Sequence, residues 1–312
     1  MNFLLFDYKG EFSDIQNNHW LSLFDVDRSC ILDPLTQPLP FTPFKDFTGR
    51  SINEINLYST EMSSALCSID RVSASANMNN RLSEAIVEAY KSTNGAPISF
   101  ELMLKCYQSR MKDANNDDSI SSVLKQLVNA HIFESEDKVS LIDDSYIIKM
   151  DGYPKDGPIA KAIVYFLMSK LNNIYELLDK QAVNDEVVQI RHFSIIDEAH
   201  YMLDFDNRPL RNLIAVGRNK GLSIILATQN MSSFKSKGFD FYANAQYPLI
   251  MKQQTIDDKV IKDLFGVSGQ ELQEIRTAIA GLQKGELIIK DQMAFALGMG
   301  NKYKKINVTH LI

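Results

Sequence analysis

Much of what would place this sequence at once is missing. The three cysteines in 312 residues, Cys30, Cys67 and Cys106, are odd in number and lack metal-ligand spacing. That excludes a disulfide framework and leaves reduced thiols as the expectation. No apolar run approaches the length needed to cross a bilayer, and no secretory leader pattern opens the chain. A cytoplasmic location without a membrane partner is therefore expected. Lys+Arg 33 against Asp+Glu 39 leaves a formal charge of -6, so there is no general basic coat for nucleic acid, though a local basic channel is compatible with that balance. The five histidines are scattered and no H-E-x-x-H occurs, which removes a zinc peptidase and leaves His200 as a surface or core residue. No repeat and no low-complexity tract is present. Finally, no Gly-Lys followed by Ser or Thr occurs, so the loop G-x-x-x-x-G-K-S/T, whose backbone amides cradle phosphates, is not among these residues.

What is present is a chain with 45% hydrophobic residues, enough for a substantial core. NFLLFD reads as a buried strand from residue 2 to residue 7, and the YKGEF that follows carries a loop signal in Lys-Gly-Glu. CILDPLTQPLPFTPF, with prolines from Pro34 to Pro43, reads as an extended, turn-rich connection. Between about Ile52 and Phe133 the apolar spacing changes to three and four, predicting four helices, with Ser99 and Ser119 as N-caps and Asn94-Gly95-Ala96-Pro97 as a break. Strands are then expected at KVSLID and SYIIKMD, and one long amphipathic helix at IAKAIVYFLMSKLNNIYELLDKQ. The rhythm continues with RHFSIID, the helix RPLRNLIAVGRNK, LSIILATQ, a short helix at FDFYANAQ, YPLIMKQ, helices at DDKVIKDLFG and GQELQEIRTAIAG, and a closing pair of strands at GELIIKD and AFALGM. Apolar strands alternating with helices imply an α/β fold, a mostly parallel sheet with helices on both faces. The expected organisation is 1–50 as the start of that core, 51–137 as an all-helical insertion and 138–312 as the remainder.

The stretch HFSIID is apolar up to Ile196 and then delivers Asp197 and Glu198 to the carboxyl end of a parallel strand, the edge where open α/β sheets bind ligands. An aspartate there can hold the water shell of a magnesium ion, and the next glutamate can orient or deprotonate an attacking water. The same pair also suits an ordinary acidic helix N-terminus. LSIILATQN ends in Thr228-Gln229, a polar strand cap or a γ-phosphate sensor. Between the two strands lie Arg218 and Lys220, which suit a helix C-terminus on dipole grounds or a phosphate on a neighbouring subunit.

The order of these pieces carries more information than any one of them. A strand ending in Asp-Glu, a helix ending in Gly-Arg-x-x-Gly and a strand ending in Ala-Thr-Gln together resemble the HerA/FtsK superfamily of hexameric DNA-pumping ATPases, which includes VirB4 and TraG-type conjugation motors. NFLLFDYKGEF resembles that superfamily's second strand, CILDPL its Asn-Pro-Leu segment with Asp33 in place of the asparagine, and LQKGELIIK its closing strand. DEAH also marks another helicase superfamily, but there the arginine motif lies in a second domain far downstream. Here Gly217-Arg218 follows Glu198 within one helix.

The resemblance implies a RecA-like fold, with ATP and Mg2+ as cofactors in the intact protein and DNA as partner, held largely through phosphate contacts. It also implies a homo-oligomeric, hexameric ring and, in restriction or defence systems such as phosphorothioation-dependent restriction, a nuclease partner. By the same carry-over, Asp197 is the magnesium ligand acting through water, Glu198 the catalytic glutamate, Gln229 the sensor and Arg218 an arginine finger acting in trans, with Arg208 and Arg211 as competitors. Asp7 and Glu11 support the site from the same sheet edge. In that superfamily the phosphate loop precedes the strand matched by NFLLFD, so the expectation is a carboxyl-terminal portion lacking the first strand and the phosphate loop, inactive alone, with some exposed apolar surface. The alternative is a catalytically silent RecA-like scaffold or DNA-binding module.

Overall fold

The computed structural model describes residues 2–14, 30–69, 74–111, 117–184, 187–203, 205–229, 231–236, 239–291, 296 and 302–308. The chain divides into two compact units, Met1–Leu226 and Ala227–Ile312. The first is built on a five-stranded sheet of β1 (Asn2–Asp7), β2 (Ile31–Leu32), β3 (Tyr146–Lys149), β4 (His192–Ile196) and β5 (Leu222–Leu226), in the order β2-β3-β1-β4-β5. Every pairing is parallel, with Leu4 opposite Tyr146, Asn2 opposite His192 and His192 opposite Leu222. β1, the apolar run NFLLFD, lies centrally, with Leu4 and Phe6 fully buried. β5 is outermost, and its Ile225 is 42% exposed.

Four helices separate β2 from β3: α1 (Ile52–Ile69), α2 (Ala76–Ser92), α3 (Phe100–Gln108) and α4 (Ser119–Ala130). Ser75 and Ser99 cap α2 and α3 by accepting the amides of Met78 and Leu102. The cap of α4 is Asp118, one residue before the expected Ser119. Its carboxylate accepts the Ser121 amide, the Tyr107 hydroxyl at 2.6 Å and the Arg81 guanidinium at 3.3 Å, while the Asp118 amide donates to the Ser121 hydroxyl oxygen. A serine hydroxyl could not bind three elements at once, so the carboxylate takes the position. Gly95, at φ 88, lets its amide reach Tyr90 and its carbonyl the Phe47 amide; a Cβ there would stand 2.6 Å from the Phe47 carbonyl oxygen.

KVSLID forms no strand. β3, the strand that follows it, has β1 on one side and β2 on the other, so no place beside β3 is open to it. Instead the Lys138 amide donates to the Pro40 carbonyl, and the Asn2 side-chain amide takes the carbonyls of Ile142 and Asp143. The long helix is α5 (Pro158–Leu177), with proline in its first turn after Gly157. It is not amphipathic in its first half, because Ala160 through Ser169 are buried without interruption. Phe166 meets Phe44, Phe100 and Phe133 edge-on at 5.2 to 5.9 Å, so the helical segment covers a side that would otherwise face water. α6 (Arg208–Val216) then packs beside α5 and leads through a 3-10 turn, Gly217–Lys220, into β5.

The second unit has its own antiparallel sheet of β6 (Leu249–Met251), β7 (Glu286–Lys290) and β8 (Tyr303–Asn307), in that order. Its core gathers Val260, Ile261 and Phe265 of α8 (Asp258–Phe265), Ile275 and Ile279 of α9 (Gly269–Ala280), and Ile288 of β7. The short α7 (Phe241–Asn244) precedes them. YPLIMKQ and GELIIKD thus belong to a separate sheet rather than the parallel one. The second partner of β7, beside β6, is YKKIN, whose two lysines hide it from an apolar-run reading. The expected strand AFALGM lies outside the described residues except for Ala296.

His192 opens β4 fully buried, and neither ring nitrogen has a hydrogen-bond partner among the described residues. Burial pushes its pKa down to about 4, against an ordinary value of about 6.5. The unfolded chain therefore takes up a proton that the native state refuses as pH falls from about 6.5 to 4. Stability contributed in full above 6.5 is lost across that window, by about 3 kcal/mol at pH 4. Urea midpoints compared at pH 7.5 and 4.5 will show a smaller acid loss in His192→Phe than in the wild type; equal losses would exclude His192 as the source.

Candidate nucleotide-binding edge

The carboxyl ends of β1, β2, β3 and β4 bring charge to one edge of the sheet in the first unit. Asp7 closes β1 and is fully buried. Its Oδ1 accepts the amides of Lys9 (3.3 Å) and Gly10 (2.9 Å), and its Oδ2 those of Phe12 (3.0 Å) and Ser13 (2.8 Å). The loop of residues 8–13 is therefore wound around one carboxylate. Gly10 holds φ 74 there, and Asp151 lies so close that a Cβ on Gly10 would come within 2.7 Å of its Oδ2. Lys149 at the end of β3 lies between Asp33 (3.7 Å) and Asp151 (3.9 Å).

The loop's tight winding aims Lys9 at Glu198. Their ammonium and carboxylate form an ion pair, with the lysine side chain 30% exposed and the glutamate 4%. The other Glu198 oxygen lies 3.3 Å from His200 Nδ1. Glu198 itself adopts left-handed backbone angles, φ 48 and ψ 42, as it enters the 3-10 turn Ala199–Met202. Such a conformation costs a non-glycine residue on the order of 1 kcal/mol, and it concentrates at functional sites. The hydrogen bond to Glu198 raises the Lys9 pKa, with burial opposing and the charges of Glu198, Asp197 and Glu11 adding.

Asp197 is half-buried, and burial pushes its carboxyl above the usual range; the Glu198 amide and Lys9 oppose the shift, while the charges of Glu198 and Asp7 reinforce it. Tyr8 and Tyr201 face each other across the two loops at 5.8 Å between ring centres.

The structure brings Asp7, Glu11, Asp197 and Glu198 to one edge. Arg218 lies elsewhere. It sits in the turn before Leu222, which pairs with His192 at the amino end of β4, so the strand length of roughly 17 Å separates it from the Glu198 edge of its own chain. Arg218 is exposed, whereas Arg208 and Arg211 are held by Glu61 (2.8 Å) and Asp206 (3.5 Å). Lys220 binds the carbonyls of Tyr175 and Glu176 at the end of α5. Gln229, exposed, is the third residue beyond β5 and belongs to the second unit. Lys9 and His200 are the site residues that sequence reasoning missed, and the signal for Lys9 was its position two residues after the strand-ending Asp7.

Among the described residues, no group of three or more His, Cys, Asp or Glu side chains is placed to hold a metal ion. Both Asp7 oxygens are committed to amides and Glu198 to Lys9 and His200, which leaves Asp197. One carboxylate fits a magnesium ion that takes its remaining ligands from water and phosphate, and does not fit a metal held by protein alone.

A parallel sheet of order β2-β3-β1-β4-β5, with an Asp-Glu pair at the end of β4, decides the architecture. The chain has the fold of VirB4 and TrwB. VirB4 of Thermoanaerobacter pseudethanolicus superposes with a TM-score of 0.65 at 16% identity, over 99% of this chain and 82% of that one. The bacterial conjugative coupling protein TrwB, in a form with sulphate, gives 0.59 at 13% identity over 99% and 78%. TrwB with the ATP analogue ADPNP gives 0.54 at 13% over 99% and 85%. TrwB has also been solved with ADP and Mg2+. No protein-family model and no curated protein matches the chain. The VirB4/TrwB fold is the RecA-like α/β fold expected from the sequence, and no described helix is long and apolar enough to cross a membrane.

Proposed function

We propose that this chain supplies the Asp-Glu half of the site of an ATP-driven DNA translocase. The observation that carries the reading is the placement of a buried, left-handed Glu198 beside Asp197 at the carboxyl edge of a parallel sheet with the VirB4/TrwB fold. In this reading Asp197 holds the water shell of a nucleotide-borne magnesium ion, which neutralises phosphate charge, and Glu198 orients and accepts the proton of the attacking water. Asp7 and Glu11 shape the edge. A G-x-x-x-x-G-K-S/T loop that would cradle the phosphates is not among these 312 residues, so in this reading the cradle would have to come from elsewhere in the assembly.

Arg218 is exposed and a strand's length from its own Glu198, which supports its reading as a finger acting on a neighbour's site in a ring of copies with ATP between subunits; hexameric symmetry follows the resemblance. Gln229 is the sensor of the same reading. DNA is the partner, bound through phosphates, and a nuclease partner in restriction or defence is the finer assignment. One observation favours the silent-scaffold alternative: the catalytic carboxylate is already engaged by Lys9. The test is ATP turnover by the intact assembly with and without duplex DNA. DNA-stimulated turnover is the expected result; an assembly that binds DNA in a salt-dependent manner and hydrolyses nothing is the scaffold.

A further inference from the structure

Lys9 stands where a site built for a divalent cation would need none of its charge. It projects from a loop fixed by four hydrogen bonds to Asp7, so its position is specified rather than incidental. Its ammonium meets Glu198, and Asp197 and Glu11 are near enough to add to its field. The glutamate end is buried and cannot withdraw, while the lysine end is 30% exposed and can. A pair with one fixed and one mobile member opens in a single way, by departure of the lysine.

We propose that Lys9 is a latch on the site: its ammonium neutralises Glu198 and keeps cations off Asp197 until a cation arriving with phosphate repels it and frees the carboxylate. Lys9 is thus a positioning residue acting through Glu198. The inference rests on the proposed function for the identity of the cation-bearing ligand, but the contact and its test do not require turnover. With Lys9 engaged, the Glu198 carboxylate is occupied by the ammonium and is not open to water or a cation. Once Lys9 swings out toward the phosphates, the same charge assists anion binding and the carboxylate is available to water. Burial would make an unpaired Glu198 costly in the resting chain, and the latch removes that cost.

Mn2+ binding by this chain without nucleotide, followed by electron paramagnetic resonance, tests the latch. A unit charge about 5 Å from a divalent ion weakens its binding on the order of tenfold even at the dielectric of water. Lys9→Met is therefore expected to bind Mn2+ about tenfold more tightly than the wild type, and Lys9→Arg, which keeps the charge, to bind as the wild type does. Circular dichroism checks the fold; if Lys9→Met does not fold, Lys9→Gln, which still donates a hydrogen bond to Glu198, carries the same expectation. The double variant Lys9→Met/Asp197→Asn should lose the gain. Unchanged Mn2+ affinity in a folded, uncharged Lys9 variant overturns the latch whatever the fate of the translocase reading. A gain that survives loss of Asp197 places the ion elsewhere and overturns it too. Absence of turnover in the intact assembly, by contrast, bears on the proposed function alone.

Discussion

ATP turnover by the assembly containing this chain is expected to fall by at least about a hundredfold in Glu198→Gln, within the range of 10²–10⁴ supplied by a positioned general base. Glutamine preserves the shape of the side chain and can still meet both Lys9 and His200, so the left-handed turn at residue 198 and the packing of Ala199 and Met202 should persist. What it removes is the capacity to accept a proton. Nucleotide affinity should therefore change little while kcat collapses, a split that distinguishes loss of chemistry from loss of the site. Retention of normal turnover would remove Glu198 from the reaction. The comparison is best made beside Asp197→Asn, which is expected to weaken Mg2+-dependent nucleotide binding itself.

The second large effect concerns stability. Asp7→Ala leaves four amides of the 8–13 loop without their acceptor. Hydrogen bonds to a charged group contribute about 1.5–3 kcal/mol each, but the contributions are not additive and a loosened loop rehydrates. The expected cost is about 4 kcal/mol, seen as a drop of roughly 10 °C in Tm for a unit of this size. Asp7→Asn keeps one acceptor oxygen and should lose about half as much. A cost below about 1 kcal/mol for Asp7→Ala would mean that the loop is held by other contacts. Because the same loop aims Lys9, the variant should also show the tighter Mn2+ binding expected of the Lys9 substitutions.

The sheet was legible because its strands are apolar runs punctuated by charge: NFLLFD, YIIK, HFSII and LSIIL all pair where their patterns end. The carboxylates were legible for the same reason, since Asp7 ends the buried run of β1 and Asp197-Glu198 follow the last buried residue of β4. Lys9 was not, because lysine before glycine reads only as a turn, and its role depends on Asp7 folding the loop back over β4. KVSLID shows the opposite failure. Its alternation suits a strand, but strand formation needs a neighbour at hand, and both sides of the adjacent β3 are taken by β1 and β2. Arg218 was found as a residue but not as a position: only the register of β5 against β4 reveals that it lies at the far edge. YPLIMKQ and GELIIKD were legible as strands but not as members of a separate sheet, because short apolar strands do not announce which sheet they join.

The uninterrupted burial of α5 from Ala160 to Ser169 bears on how the molecule could be re-engineered. A helix wetted on one side tolerates the loss of an appended segment, but this one has no outward side along that stretch. Excising residues 51–137 would bare Phe166 and its neighbours to water, and the shortened protein should precipitate or associate rather than stand as a minimal core. In space the helical stretch is a structural wall, so homologous swaps at this point succeed only if the incoming segment brings its own aromatic surface to meet Phe166.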